Sequence, residues 1–293
     1  MSKNRPITDH LAQDKAVISV EFFPPKDEAG GEAIIQTALE IKEHVRPDFV
    51  SITYGAGGTT QQRTFKYAQI LKDDYGFDVM PHLTCVGASR SEIRELVQNY
   101  IDAGFCNIMA LRGDPPKGES KFKTHPDGFA YASDLVDFLR SEFSGLCLGV
   151  AGYPEVHPEA RSPEIDLQHL KTKVDAGASF ITTQLFYRNE NFLRFQKECR
   201  EKGITIPIIP GLMPVTSAKA IQRFCNDIPA ELLNTLTACE DDPEKTQALR
   251  VEWTYQQIAE LLEAGVRGVH LYIMNRSNTA ISIVKRLKEN GII

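Results

Sequence analysis

Short runs of apolar residues alternate along the chain with longer segments whose apolar positions recur every three or four residues, the periods of strand and helix. The short runs predict strands at Ala16–Phe22, Phe49–Thr53, Val79–Leu83, Asn107–Leu111, Cys147–Ala151, Phe180–Gln184, Pro207–Pro210 and Gly268–Tyr272. The amphipathic segments predict helices at Glu32–His44, Thr60–Asp74, Ser91–Ala103, Tyr131–Glu142, Asp166–Ala176, Glu190–Glu201 and Ser217–Cys225, then Gln247–Ala264 and Thr279–Glu289. Ser91, ahead of the apolar stretch Ile93 to Val97, reads as an N-cap, and Gly104, Gly177 and Gly265 as C-terminal caps. Those glycines end the phrases Asp102-Ala-Gly, Asp175-Ala-Gly and Glu263-Ala-Gly, each just before a strand, so one helix-to-strand turn is used repeatedly.

Strand followed by helix, with the strands apolar on both faces, predicts an α/β fold: a (β/α)8 TIM barrel, closed and parallel, with helices outside. A doubly wound open sheet is the alternative. Two intervals exceed the repeat. Arg112–Phe129 follows the fourth strand, at the end where barrel sites are built. Pro229–Thr246 reads as an extra helix pair on the outside, before the eighth strand. No linker or low-complexity tract divides the chain, so residues 1–293 are expected to form a single domain.

The chain has 293 residues, 42% hydrophobic and 25% charged, a composition that supplies a core and excludes disordered and collagen-like classes. With 33 basic and 39 acidic residues the net charge is −6, and no Lys/Arg cluster offers a footprint for nucleic acid or an anionic membrane. Small molecules are the expected partners. Met1 to Lys15 lacks the basic start and apolar stretch of a secretory signal, and no run reaches membrane-spanning length, so a cytoplasmic protein is expected. The six cysteines form no C-x-x-C pair and read as reduced, packed thiols.

In a barrel, polar groups at the C-terminal strand ends are candidates for chemistry. The first strand carries Glu21 among Phe22, Phe23, Pro24 and Pro25. It is either an ion-paired core residue or a general acid, since a carboxyl buried among aromatic rings can keep its proton near neutrality. The second strand runs into Thr53-Tyr-Gly-Ala-Gly-Gly58, a tight turn or a backbone cradle for an anion. His82 ends the third. Arg112-Gly-Asp114, followed by two prolines, makes a rigid polar turn after the fourth. After the fifth, His157 and Glu159 do not have the spacing of a zinc-binding H-E-x-x-H helix, and no metal site is predicted. Gln184 ends the sixth, an amide able to bond a planar heterocycle both ways. Arg276, past the eighth, can hold a carboxylate or cap an acidic neighbour.

Taken together, Val20-Glu-Phe-Phe-Pro-Pro25, Thr53-Tyr-Gly-Ala-Gly-Gly58, His82-Leu-Thr-Cys85, Leu111-Arg-Gly-Asp-Pro115, Tyr153-Pro-Glu-Val-His-Pro-Glu159 and Thr183-Gln184 closely resemble the flavin-dependent 5,10-methylenetetrahydrofolate reductases. The resemblance covers nearly the whole chain, in order. It implies a barrel with FAD across the C-terminal strand ends, contacted by Thr53, Tyr54, Ala56, His82, Arg112, Gly113, Asp114, Tyr131, Ala132, Tyr153, His157, Ala160, Asp166, His169 and Lys173. It also implies a ping-pong cycle, in which NADH or NADPH reduces FAD and leaves before the folate takes its place. Glu21 matches the family's general acid, which would protonate folate N10 and open the methylene bridge. Asp114 and Gln184 would engage the pterin, Phe224 would pack against a substrate ring, and Arg276 would meet the aminobenzoyl-glutamate portion. The implied product, 5-methyltetrahydrofolate, supplies methyl groups for methionine synthesis, and relatives form dimers or tetramers.

The chain departs from some relatives at His169 and Thr172, where they have Asn and Arg, and at Ala220, where they have a substrate-binding Gln. It stops at Ile293, so no C-terminal regulatory domain is expected. Two rival readings are a flavin-free barrel enzyme, such as a pterin methyltransferase or a Schiff-base aldolase, and a non-catalytic flavin- or folate-binding subunit. An aldolase needs a lysine at a strand end, whereas Lys173 is predicted within a helix.

Overall fold

The structure, a computed structural model, describes residues 3–54, 61–115 and 122–293. Among these residues nine parallel strands form one sheet: β1 (Val17–Phe22), β2 (Phe49–Ile52), β3 (Val79–Thr84), β4 (Asn107–Leu111), β5 (Cys147–Gly152), β6 (Phe180–Thr183), β7 (Ile208–Ile209), β8 (Gly211–Leu212) and β9 (Gly268–Tyr272). Their order is β7-β6-β5-β4-β3-β2-β1-β9-β8, a nearly closed barrel. Around it lie α1 (Ile7–Leu11), α2 (Glu28–Glu40), α3 (Gln61–Asp73), α4 (Arg90–Asp102), α5 (Ala132–Glu142), α6 (Pro163–Asp175), α7 (Asn189–Glu201), α8 (Ala218–Ile221), α9 (Ala230–Ala238), α10 (Pro243–Glu263) and α11 (Ser277–Glu289). The last turn after α2, Ile41–Val45, widens to a π-helix.

The predicted seventh strand, Pro207–Pro210, covers only the first of two halves: β7 lies within it and β8 follows beyond Pro210. Pro210 has no N–H to give to a ladder, and the strand breaks there. Its first half leans on β6, where Pro207 O accepts from Ile181 N at 2.9 Å, and its second on β9, where Pro210 O accepts from His270 N at 2.9 Å. Side chains finish the closure: Gly211 N donates to Thr183 Oγ1 at 3.0 Å and the Tyr272 hydroxyl to Thr183 O at 2.6 Å. Only glycine fits at 211, because a Cβ would sit 2.2 Å from Thr183 O and 2.5 Å from the Tyr272 hydroxyl oxygen.

The repeated turn is present. Ala103, Ala176 and Ala264 cap α4, α6 and α10, and the glycines that follow take φ of 85°, 113° and 87°. The cap of α4 is Ser89 rather than Ser91, since Ser89 forms a full capping box with Glu92. Instead of an extra helix pair, the interval before the long helix holds one helix, α9, and the first turn of α10, which Asp242 caps and Pro243 starts.

Helix α1, absent from the sequence expectation, closes the N-terminal end of the barrel. Ile7 is fully buried, and with Leu11 it joins Val17, Phe49, Met80, Met109, Cys147, Phe180 and Ile209 in an apolar layer inside the strands. Asn107 locks it there, accepting from Ile7 N at 2.9 Å and donating to Arg5 O at 2.9 Å, while Asp78 accepts from Arg5 N at 2.7 Å. Two residues further along the same strand faces, toward the C-terminal ends, the interior turns polar: Ser19, Ser51, His82, Thr182 and His270 are all buried. That layer is the floor of the mouth.

Candidate active site at the barrel mouth

Glu21 sits in register with Ser51 on β2 and Tyr272 on β9, and is 6% exposed. Its Oε2 accepts from Ser51 Oγ at 3.4 Å and lies 3.4 Å from His82 Nε2 and 3.8 Å from His270 Nε2. His82 Nε2 makes no hydrogen bond among the described residues, and burial lowers this imidazole's pKa despite the opposing pull of Glu21. His270 is held on both ring nitrogens, by Ser19 Oγ at 2.8 Å and Ser51 Oγ at 3.2 Å, and lies stacked on Phe49 and edge-on to Tyr272. The turn after β1 is fixed by Asn275, which accepts from Phe23 N at 2.8 Å and donates to Phe23 O at 2.9 Å. Asn275 manages this from a left-handed turn, φ 54°, that suits asparagine.

A second group gathers on the β4–β5 side. Arg112 forks onto Glu159 with contacts of 2.6 and 2.9 Å and lies over the Phe122 ring. That fork raises the Arg112 pKa further. Lys173, within α6, donates to Ala151 O at 2.5 Å, and burial lowers its amine to about 8 against the pull of Asp166. Asp166 accepts from His157 N at 3.0 Å, folding the loop after β5 so that Tyr153 and His157 meet edge to face. Burial pushes the Tyr153 phenol up to about 12, so it stays a donor through the neutral range.

Gln184, Asp114, Phe224 and Arg276 are exposed around the rim. Glu155 Oε2 accepts from Asn226 N at 3.0 Å, tying the Phe224 segment to the loop after β5. Thr53, Tyr54, Gly113 and Ala160 line strand ends or loop positions and Ala132 starts α5, all with intermediate exposure, whereas Tyr131 and His169 are exposed. Tyr131 caps α5 and His169 lies on the outer part of α6, so neither belongs to the buried groups. Ala56 lies outside the described residues. Sequence reasoning does not single out Ser19, Ser51 or His270 and weighs Glu159 only as a metal ligand, though period two along β1 puts Ser19 on the face of Glu21.

A family model described as methylenetetrahydrofolate reductase matches residues 6–288. The 5,10-methylenetetrahydrofolate reductases of Pectobacterium carotovorum subsp. carotovorum and Escherichia coli (strain K12) are each 37% identical, covering 94% of this chain and 91% and 92% of theirs. The probable methylenetetrahydrofolate reductase (NADH) of Oryza sativa subsp. japonica is 38% identical over 96% of this chain and 50% of its own length. The chain thus spans about half the length of the plant relatives and about nine-tenths of the bacterial ones. Among solved structures, an uncharacterized protein from Clostridium thermocellum that binds two copies of 5-methyl-5,6,7,8-tetrahydrofolic acid shares the fold. Its TM-score is 0.65 over 97% of this chain and 99% of that one, at 20% identity. By the extent of the family match and the identity to full-length bacterial members, this chain belongs to the methylenetetrahydrofolate reductase family.

Proposed function

We propose that the chain reduces 5,10-methylenetetrahydrofolate to 5-methyltetrahydrofolate with NAD(P)H, in a ping-pong cycle on FAD held across the barrel mouth. The observation that carries this is Glu21, a buried carboxyl at the centre of the mouth, facing two imidazoles, with a cation-bearing wall beside it.

The residues present fit a flavin dinucleotide. His82 Nε2, Thr84 Oγ1 and Thr182 Oγ1 are buried at the upper ends of strands without hydrogen-bond partners among the described residues, and a polar ligand in the mouth would satisfy them. Lys173 is a desolvated amine whose charge a phosphate would stabilise, and Arg112 has the fork geometry that phosphate oxygens match. Its present partner Glu159 would yield to, or share it with, the incoming anion. FAD bound there supplies a carrier that takes hydride from the nicotinamide and gives it to the folate. Thr53, Tyr54 and Ala56 would hold it from the β2 side; Gly113, Asp114, Tyr131, Ala132, Tyr153, His157, Ala160, Asp166 and His169 would hold it from the other.

Glu21 holds a proton at Oε and delivers it to folate N10 as the methylene bridge opens, the work of a general acid. Gln184 and Asp114 orient the pterin from the rim, Phe224 covers a substrate ring, and Arg276 meets the carboxylate-bearing tail. The test is spectroscopic. The purified chain should be yellow, bleached by NADH or NADPH under anaerobic conditions, and recoloured by methylenetetrahydrofolate. A protein that binds no FAD, or whose bleached form is not reoxidised by the folate, refutes the proposal. Stopped-flow bleaching with each nicotinamide identifies the preferred one.

A further inference from the structure

The loop after β5 holds Val156 in a conformation that a β-branched residue avoids, with φ of 71° in the left-handed region. Such strain persists only where surrounding bonds over-determine it, and it gathers at functional sites. Val156 N donates to Tyr153 O at 3.1 Å, closing the turn, and Pro154 O accepts from Arg194 Nη2 at 3.3 Å. On one side of Val156, His157 N donates to Asp166 Oδ2 at 3.0 Å, and its ring meets Tyr153 on the wall that carries Lys173. On the other side, Glu155 reaches across to the segment after α8. Its Oε2 accepts from Asn226 N at 3.0 Å and from Asp227 N at 3.4 Å. In that segment Ile221 and Cys225 are buried, whereas the Phe224 ring between them is 52% exposed. Helix α8 has only four residues, too few to hold itself in place, so side-chain ties decide where Phe224 stands. The other ties come from the connection between β6 and α7. Asp227 accepts from Arg188 Nε at 2.7 Å and from Asn191 Nδ2 at 3.0 Å, and the Cys225 thiol, kept as S–H because burial pushes its pKa up, donates to Leu185 O at 3.4 Å.

We propose that Glu155 is a positioning residue: the strained turn aims its side chain at the Asn226 and Asp227 amides and so seats Phe224 over the mouth for the folate. The inference rests on the reading of Phe224 as the residue that covers a substrate ring, and adds what holds it there. Without this latch the segment samples positions in which Phe224 leaves the mouth uncovered. Apparent folate affinity then falls by the fraction of time the ring is seated, while the rate of the fully occupied complex is kept.

The test uses the full chain with bound FAD, reduced beforehand and mixed anaerobically with methylenetetrahydrofolate. In Glu155→Ala the folate concentration that half-saturates flavin reoxidation should rise about tenfold, with the limiting rate within about twofold of wild type. Glu155→Gln, whose amide oxygen still accepts from both backbone amides, should return that concentration to within about threefold of wild type. Phe224→Ala should raise it as well, and Glu155→Ala added to Phe224→Ala should raise it no further, because one residue acts only through the other. Wild-type half-saturation in Glu155→Ala, or two effects that multiply, overturns the proposal. Hydrogen exchange reads the latch without folate: the Asn226 and Asp227 amides should exchange about tenfold faster in Glu155→Ala and near the wild-type rate in Glu155→Gln. Unchanged exchange in Glu155→Ala also overturns it. Failure of the folate reading shows elsewhere, in wild type, as a bleached flavin that the folate does not reoxidise.

Discussion

Lys173 carries its charge at a cost, since burial lowers its amine from the ordinary 10.5 to about 8. Between those values the unfolded chain binds a proton that the folded one does not. Folding is therefore progressively penalised as the pH falls from 10.5 to about 8, and a bound anion that holds the ammonium offsets the penalty, Lys173 taking up the proton. FAD affinity is therefore predicted to fall as the pH rises above about 8, read by flavin fluorescence titration at several pH values. Lys173→Met should bind about 10- to 100-fold more weakly at pH 7, the worth of a charged hydrogen bond, and lose that pH dependence. An affinity in Lys173→Met that matches wild type would remove Lys173 from the phosphate site. Gly211 is a second single-residue test. The methyl of Gly211→Ala would press into the Thr183 carbonyl and the Tyr272 hydroxyl. Overpacking of this kind costs about 1–3 kcal/mol in denaturant unfolding, and a variant as stable as wild type would show that the strand relaxes there.

Helix α1 shows what an element contributes that no strand-end motif reveals. It meets the barrel opposite the mouth, through the buried Ile7 and the pair of bonds from Asn107. Ile7→Ala is predicted to lower stability by about 2–5 kcal/mol, with the folded protein's FAD affinity unchanged; calorimetry and flavin titration separate the two. Its sequence, a single five-residue turn within a polar start, is too short to display a helical period, which is why the pattern of apolar positions missed it. The seven unbroken barrel strands were legible because both of their faces are buried and each is followed by helical spacing. Of the seventh only the half before Pro210 was legible, because partners change across Pro210 and the pairing of Gly211–Leu212 with β9 is not written in that segment. Local spacing favours Ser91 as the cap; Ser89 wins because Glu92 stands three residues on and completes the reciprocal bonds.

At the scale of the whole molecule, barrel closure decides which residues meet. Ser19 and His270 are 251 positions apart and bond at 2.8 Å because β9 returns beside β1. The strand-end motifs showed where the rim would be: Glu21, His82, Arg112, Lys173 and Gln184 could be read from resemblance. The contacts that Ser19, Ser51 and His270 make beside Glu21 could not, since the serines carry no motif and their partners depend on register. Closure also sets the two sides of the mouth apart, Glu21 with its two imidazoles on one and the cations Arg112 and Lys173 on the other. The central claim is that Glu21 is the acid of folate reduction, and single-turnover kinetics of Glu21→Gln with bound FAD test it most directly. The predicted result is a folate step slowed by about 10²- to 10⁴-fold, with bleaching by the nicotinamide changed far less. A folate step at the wild-type rate, or both steps slowed alike, would contradict the account.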